Sequence, residues 1–351
     1  MNCALFGGGR IASYFHLPVL LSLAGVQLTD IVEPDRQRWP ELATASSARL
    51  HESCETLAGP LHAAVICAPT SQHFPLATEA WRRGLHVYLE KPLALDELEA
   101  RAMLDLQEQA GTSTMVGFNQ RFRPAHIKAR SWLPRLGPLV GGIGSMGVPG
   151  ELVQGWRRQR ASGGGALLEL ACHHLDLLGW LLGEPIVAAR ATLTSDLHQD
   201  DRASIWLKMR GGFEFSGLYT LCSAETDQFE IFGERGRLSC QRGLPWPRPQ
   251  GLYPPRTKAE GLKAFGWGLA ASALQLNPPA ETSYRSALQC FFDCLQRGDR
   301  PQPDLRHGLW IQIVLGALER SARQGGCIIE LSDEWWPGPD DLPARGRTGR
   351  S

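Results

Sequence analysis

The sequence has no net charge to offer: 36 Lys and Arg stand against 36 Asp and Glu in 351 residues. Proteins that bind nucleic acid or anionic membrane surfaces broadly carry a basic excess, so neither partner is expected. No apolar run approaches the ~18–20 residues that cross a bilayer. The opening segment MNCALFGGGR shows neither a basic leader running into an apolar segment nor a twin arginine, so no export signal is expected and a cytoplasmic location is. The nine cysteines are odd in number and contain no CxxC pair. They read as buried thiols in a reducing compartment, with neither a disulfide frame nor a metal site expected. Lysine is scarce as well: Lys91, Lys128, Lys208, Lys258 and Lys263 are the whole set, against 31 arginines.

What is present is an ordinary globular composition, 43% hydrophobic and 21% charged, long enough for about two domains. Up to residue 118, short apolar runs alternate with helical patterns. Strands are predicted at Cys3–Phe6, Val26–Val32, Val65–Ala68, His86–Leu89 and Ser113–Phe118. Helices are predicted at Arg10–Leu23, Pro75–Arg83 and Asp96–Ala110. Continuous apolar strands joined by helices are the pattern of a doubly wound parallel sheet. From 119 to 332 the texture is α+β. A helix at Pro124–Leu133 and a glycine-rich stretch at Gly137–Gly150 precede an apolar helix at Ala166–Leu182. Strands follow at Ile186–Thr194, Ala203–Met209, Phe213–Cys222, Phe229–Phe232 and Arg237–Cys240, then helices at Ser283–Gln296 and His307–Gln324. This predicts a large, open, mostly antiparallel sheet. Leu244–Pro255 reads as an exposed loop and 333–351 as a tail, frayed from Pro337 on.

The first strand runs into Gly7-Gly8-Gly9-Arg10-Ile11-Ala12, a GxGxxA spacing. Gly7 permits the tight turn, Gly9 lets backbone approach a pyrophosphate, and Ala12 lets helix and strand pack closely. The amides opening the helix, at Arg10 and Ile11, face the phosphates. The second strand ends in an acid, Glu33, 24 residues after Gly9. Its carboxylate would accept from the adenosine ribose hydroxyls and repel a 2′-phosphate, which favours NAD over NADP. Arg36 and Arg38 lie just beyond and would partly offset that preference if they are more than a solvated turn.

Lys91 follows the strand His86–Leu89. A lysine kept among arginines suits a role that requires losing or sharing a proton, although a surface cation beside Pro92 would look the same. Further on, Glu169, His173 and Asp176 fall at i, i+4 and i+7 of the apolar helix and share one face. A polar stripe on a buried helix is either an internal ion-pair network or the wall of a site.

Several segments together resemble the Gfo/Idh/MocA family, the glucose–fructose oxidoreductase and inositol dehydrogenase group. They are Phe6–Ala12, Val65–His73 (VICAPTSQH), Gly84–Pro92 (GLHVYLEKP), Gly117–Pro124 (GFNQRFRP) and Gly163–Asp176 (GGGALLELACHHLD). The resemblance implies a Rossmann domain and an α/β domain with an open sheet, with substrate held between them against the nicotinamide. It also implies a cis Lys91–Pro92 bond that aims Lys91 into that crevice. Pro69, Thr70, His73, Glu90 and Lys91 would line the cofactor, and Asn119, Arg121, Trp156 and Asp176 the substrate. The family stripe usually begins with Asp, where this chain has Glu169.

The implied reaction moves a hydride between the nicotinamide and a secondary alcohol or ketone of a sugar, sugar derivative or cyclitol. His173 is the expected general acid/base, Lys91 the group that polarises the oxygen, and Glu169 either an anchor for a neighbouring hydroxyl or a group that tunes Lys91. Asp176 would orient His173 or brace the helix. Arg157, Arg158 and Arg160 are either a subsite for an anionic substrate group or an exposed basic loop. Two other readings stay open: an NAD-dependent glycosidase that oxidises its sugar transiently, and a non-catalytic dinucleotide-binding scaffold. A homodimer or homotetramer through the uncovered sheet face is expected.

Overall fold

The computed structural model describes residues 1–242, 244, 247–250 and 281–339. It divides into two compact units, one of 1–118, 284–313 and 335 onward, the other of 119–283 and 314–334.

The first unit holds six parallel strands: β1 (Asn2–Phe6), β2 (Gln27–Val32), β3 (Arg49–His51), β4 (Ala63–Ile66), β5 (His86–Leu89) and β6 (Thr114–Val116). Their order is β3-β2-β1-β4-β5-β6, that of a dinucleotide-binding sheet. β4 is buried at all four positions, as an apolar strand with helices on both faces must be. The helices His73–Arg82 and Glu97–Ala110 pack on each other, and Trp81 Nε1 donates to Thr114 Oγ1 at 3.0 Å, tying the first of them to β6.

β3 was not legible in the sequence because Arg-Leu-His has no apolar run. It pairs because Asp30 of β2, fully buried, accepts from Arg49 at 3.0 Å and meets His51 Nε2 at 2.7 Å. The helix Ser283–Arg297, read above as part of the second domain, packs with this first unit. Phe291 meets the Tyr88 ring edge-on at 5.9 Å, and Val116 N–H donates to Pro303 C=O. The start of the predicted tail is likewise packed, with Arg101 over the Trp335 ring and Trp336 against Trp310. Residues 340–351 of that tail lie outside the described residues.

The second unit carries an eight-stranded sheet: β7 (Leu139–Gly147), β8 (Ile186–Thr194), β9 (Arg202–Met209), β10 (Glu214–Thr220), β11 (Thr226–Gly233), β12 (Gly236–Gln241), β13 (Arg248–Gln250) and β14 (Ile329–Glu330). The order is β13-β12-β11-β7-β10-β9-β8-β14, antiparallel throughout except β7 with β10. β9 and β10 alternate buried and exposed residues, the signature of a sheet packed on one face.

One expectation changes here, and one stretch that carried no expected element becomes a strand. The glycine-rich stretch is β7, a central strand. A Cβ at Gly144 would lie 2.7 Å from both His174 Nδ1 and Phe215 Cζ, so the glycine is there to admit those rings. The expected exposed loop Leu244–Pro255 starts with a buried Leu244 and includes β13 paired to β12; residues 245, 246 and 251–255 lie outside the described set.

One consequence for stability follows from this unit's core. His126 is buried with Nδ1 donating to Gln120 C=O at 2.9 Å, and burial, with Arg123 beside it, pushes the ring from 6.5 to about 4. Between those values the unfolded chain binds a proton that the folded chain refuses, so stability falls as pH drops through that window, by up to ~1.4 kcal/mol per pH unit. His126→Gln flattens that segment of the profile, as read from urea midpoints measured from pH 6.5 down to about 4.

Candidate active site

In the first unit the glycine loop closes β1 and opens a helical run over 10–20. Gly7 has φ +94°, and a Cβ there would sit 3.0 Å from the backbone of Cys67 and Ala68; at Gly8 it would sit 2.7 Å from Leu42 Cδ1. Glu33, at the end of β2, accepts from Gly8 N–H at 2.6 Å and from Asp35 N–H at 2.8 Å. The acid therefore anchors the loop. Arg38 reaches the same loop, Nη1 to Gly8 C=O at 3.4 Å, whereas Arg36 pairs with Glu52 at the surface.

These features fit a dinucleotide: a cradle too tight for side chains, and first-turn amides at Arg10 and Ile11 with no acceptor of their own in the helix. Gly7→Ala forces a left-handed backbone on an L-residue, at about 1–2 kcal/mol, and pushes a methyl into the neighbouring strand end. NAD affinity is expected to fall below detection in a calorimetric titration while the second unit's structure is retained.

At the end of β5, Val87 to Ala94 are buried with one exception, Lys91, which is half-exposed. The Lys91–Pro92 peptide is cis. Glu90 faces inward: its Oε1 lies 2.6 Å from Nε2 of His16, a fully buried residue on the π-helical turn Ala12–His16, and its Oε2 accepts from Lys91 N–H at 3.2 Å. His73 is also turned inward. Its Nδ1 lies 2.9 Å from Pro92 C=O and 3.3 Å from Leu93 C=O, and its Nε2 3.1 Å from Ala68 C=O; burial lowers its pKa, and the shorter contact assigns the single proton of the neutral ring to Nδ1, donating to Pro92. Thr70 is buried at the same strand end. Glu90 and His73, expected to line a cofactor, are thus bonded within the protein. His16 was missed altogether, and its place one turn beyond the glycine loop gave no signal by itself.

In the second unit the apolar helix begins as a π-helical turn, Leu167–Ala171, and continues as Cys172–Leu182. From Gly163 to Leu181 every residue is buried except His173. Glu169 Oε2 accepts from Arg157 Nε at 2.5 Å, so the one-methylene-longer acid is met by the arginine segment. Arg158 donates to Val153 C=O and Arg160 to Glu319, so each arginine of that cluster has an acceptor inside the protein, which favours a structural role over an anion subsite. Trp156 is half-buried beside them. Asp176 and Arg121 are each 2% exposed and form a two-pronged pair, Nε to Oδ2 at 2.9 Å and Nη2 to Oδ1 at 2.5 Å. Of the three roles read for Asp176, contact with substrate, orientation of His173 and bracing of the helix, the pair with Arg121 favours the brace. Asn119 is buried and donates to Ser283 Oγ at 2.8 Å.

His174 is fully buried among Phe215, Tyr219 and Phe229 and contacts the Tyr219 hydroxyl at 3.0 Å. Asp196, Asp201 and Cys222 have metal-ligand proximity, but the Asp201 carboxylate already accepts three backbone amides, from Asp196, Leu197 and His198. No helix among the described residues is long and apolar enough to cross a membrane.

Comparison with known proteins gives matches over both units. Residues 1–118 match the model of an oxidoreductase family with an NAD-binding Rossmann fold, and 128–239 that of the GFO/IDH/MocA C-terminal domain. The chain is 26% identical over 199 residues to scyllo-inositol 2-dehydrogenase (NAD(+)) of Bacillus subtilis, spanning 54% of this chain and only 56% of that protein. It is 25% identical to inositol 2-dehydrogenase 2 of Paenarthrobacter aurescens over 95% of this chain and 99% of that one. In fold it resembles the WlbA dehydrogenase of Bordetella pertussis, solved with NADH and UDP-GlcNAcA, at TM-score 0.79 and 22% identity, covering 95% and 98% of the two chains.

Proposed function

Because this chain belongs to the Gfo/Idh/MocA family of oxidoreductases, we propose that it oxidises a secondary alcohol, or reduces the matching ketone, on a sugar, sugar derivative or cyclitol. One observation carries the reading. Each unit has a buried segment at the place the family motifs mark, and each leaves a single polar side chain unburied there: Lys91 within 87–94 and His173 within 163–181.

When bound, the nicotinamide supplies or accepts the hydride. Gly7 and Gly9 give the pyrophosphate room, and the amides of Arg10 and Ile11 hold it. Glu33 favours NAD by repelling a 2′-phosphate. His173 takes the hydroxyl proton, since an imidazole titrates near neutral pH without help. The Lys91 ammonium orients and polarises the substrate oxygen. Glu169, fixed by Arg157, accepts from a neighbouring hydroxyl. Association of copies through the second sheet belongs to the same proposal: Ile143 and Leu218 lie on one face of β7 and β10, 48% and 47% exposed.

The test is a panel of myo-inositol, scyllo-inositol, D-xylose, D-glucose, D-glucuronate and UDP-N-acetylglucosamine, with NAD and NADP in parallel, following absorbance of the reduced cofactor. Oxidation of at least one member, faster with NAD, is expected. Inertness toward every polyol, with NAD bound, would overturn the substrate class.

A further inference from the structure

The Glu90-Lys91-Pro92 tripeptide is gripped on both sides by buried histidines that play no part in the reaction as written above. His16 is 0% exposed, and its Nε2 meets Glu90 Oε1 at 2.6 Å. A carboxylate can only accept, so Nε2 carries the proton; Nδ1 is buried with no hydrogen-bond partner among the described residues. The ring is wedged edge-on between Tyr88 at 5.6 Å and Tyr284 at 5.3 Å, which fixes its plane. His73 is 1% exposed and holds the other flank, with Nδ1 donating to the Pro92 carbonyl at 2.9 Å. Its second nitrogen faces the Ala68 carbonyl at the end of the neighbouring strand. The residue before Lys91 is thus bonded through its side chain, the residue after it through its backbone, and Lys91 N–H donates to the same Glu90 carboxylate.

The origin of each clamp matters. His16 sits on the helical turn that leaves the glycine loop, and His73 on the helix that leaves β4. Placing a polar group to better than an ångström takes neighbours that lock its backbone and rotamer. We propose that His16 and His73 are positioning residues that hold the Lys91 ammonium at its working position, and that His16 ties this position to the glycine loop that takes the dinucleotide. This rests on the catalytic reading of Lys91.

The two clamps use different ring nitrogens, and that gives a test with opposite outcomes at the two sites. Glutamine places its amide nitrogen where the Nε2 of histidine was, asparagine where the Nδ1 was. His16→Gln therefore keeps the bond to Glu90 and His16→Asn loses it; His73→Asn keeps the bond to Pro92 and His73→Gln loses it. Turnover is measured on whichever panel member the native protein oxidises fastest. The bond-losing variants, and His16→Leu and His73→Leu, are expected to lose at least tenfold in kcat, toward the ~10²-fold that a misplaced group costs. KM for NAD should change little, and the bond-keeping amides should restore most of kcat.

If the leucine variants fail to fold, the amide pairs decide alone. If none of the panel is turned over, amide hydrogen exchange over 86–95 in the NAD-bound protein takes its place, with protection kept by His16→Gln and His73→Asn only. Equal behaviour of glutamine and asparagine at either position overturns the clamp there. Lys91→Ala is run alongside. Full activity in that variant sinks the catalytic reading itself, whereas a dead Lys91→Ala with fully active histidine variants sinks only the clamp.

Discussion

Lys91→Ala is expected to lower kcat by about 10²–10⁴-fold, the range that a proton-handling or oxygen-polarising side chain contributes, while NAD affinity stays nearly unchanged. In the proposed reading affinity is held elsewhere, by the loop at Gly7 and Gly9 and by Glu33, whose carboxylate is fixed by the amides of Gly8 and Asp35. Lys91→Arg is expected to recover little. A planar guanidinium cannot stand where a compact ammonium stood, and it does not give up its proton. His173→Ala should lose activity to a similar degree, and if both side chains serve one reacting oxygen, as proposed, the double variant should be hardly worse than either single one, because such groups are far from additive. Steady-state rates with the panel substrate and a calorimetric NAD titration check all of this. Losses that multiply in the double variant would mean that the two residues serve separate steps.

The second large effect is on stability. Arg121→Met leaves Asp176 as a buried carboxylate without its guanidinium, and a buried pair broken on one side typically costs about 3–5 kcal/mol. Asp176→Leu is expected to cost as much for the mirror-image reason. Arg121→Met combined with Asp176→Leu removes both charges and should regain most of the loss, since apolar replacements of buried ion pairs are often neutral or better. Urea unfolding followed by circular dichroism reads the difference as a shift of midpoint at constant slope. If Arg121 served a substrate instead, Arg121→Met would raise KM and leave the midpoint where it was.

Both predictions start from residues that the sequence singles out, but on different grounds. Lys91 stood out by scarcity, by its place after an apolar strand and by its motif. The stripe of Glu169, His173 and Asp176 stood out by helical spacing. The parallel sheet was legible because its strands are buried on both faces and so read as unbroken apolar runs. β7 was not legible, because its glycines, such as Gly144 where His174 and Phe215 pack, break the apolar alternation that marks a strand. β3 was hidden because its stabilisation comes from charges paired across strands, not from apolar residues.

Local pattern therefore told which residues are buried, which are polar where they should not be, and where a dinucleotide loop begins. It could not tell which polar residue meets which. Arg121 and Asp176 are 55 positions apart and His16 and Glu90 are 74 apart, and only the folded chain brings each pair together. Periodicity is a property of neighbours along the backbone, whereas a buried charge or imidazole is settled by whichever partner the packing delivers. That is why the stripe divides in the folded protein into a brace at Asp176, an acid held by Arg157, and one imidazole, His173, left half-exposed.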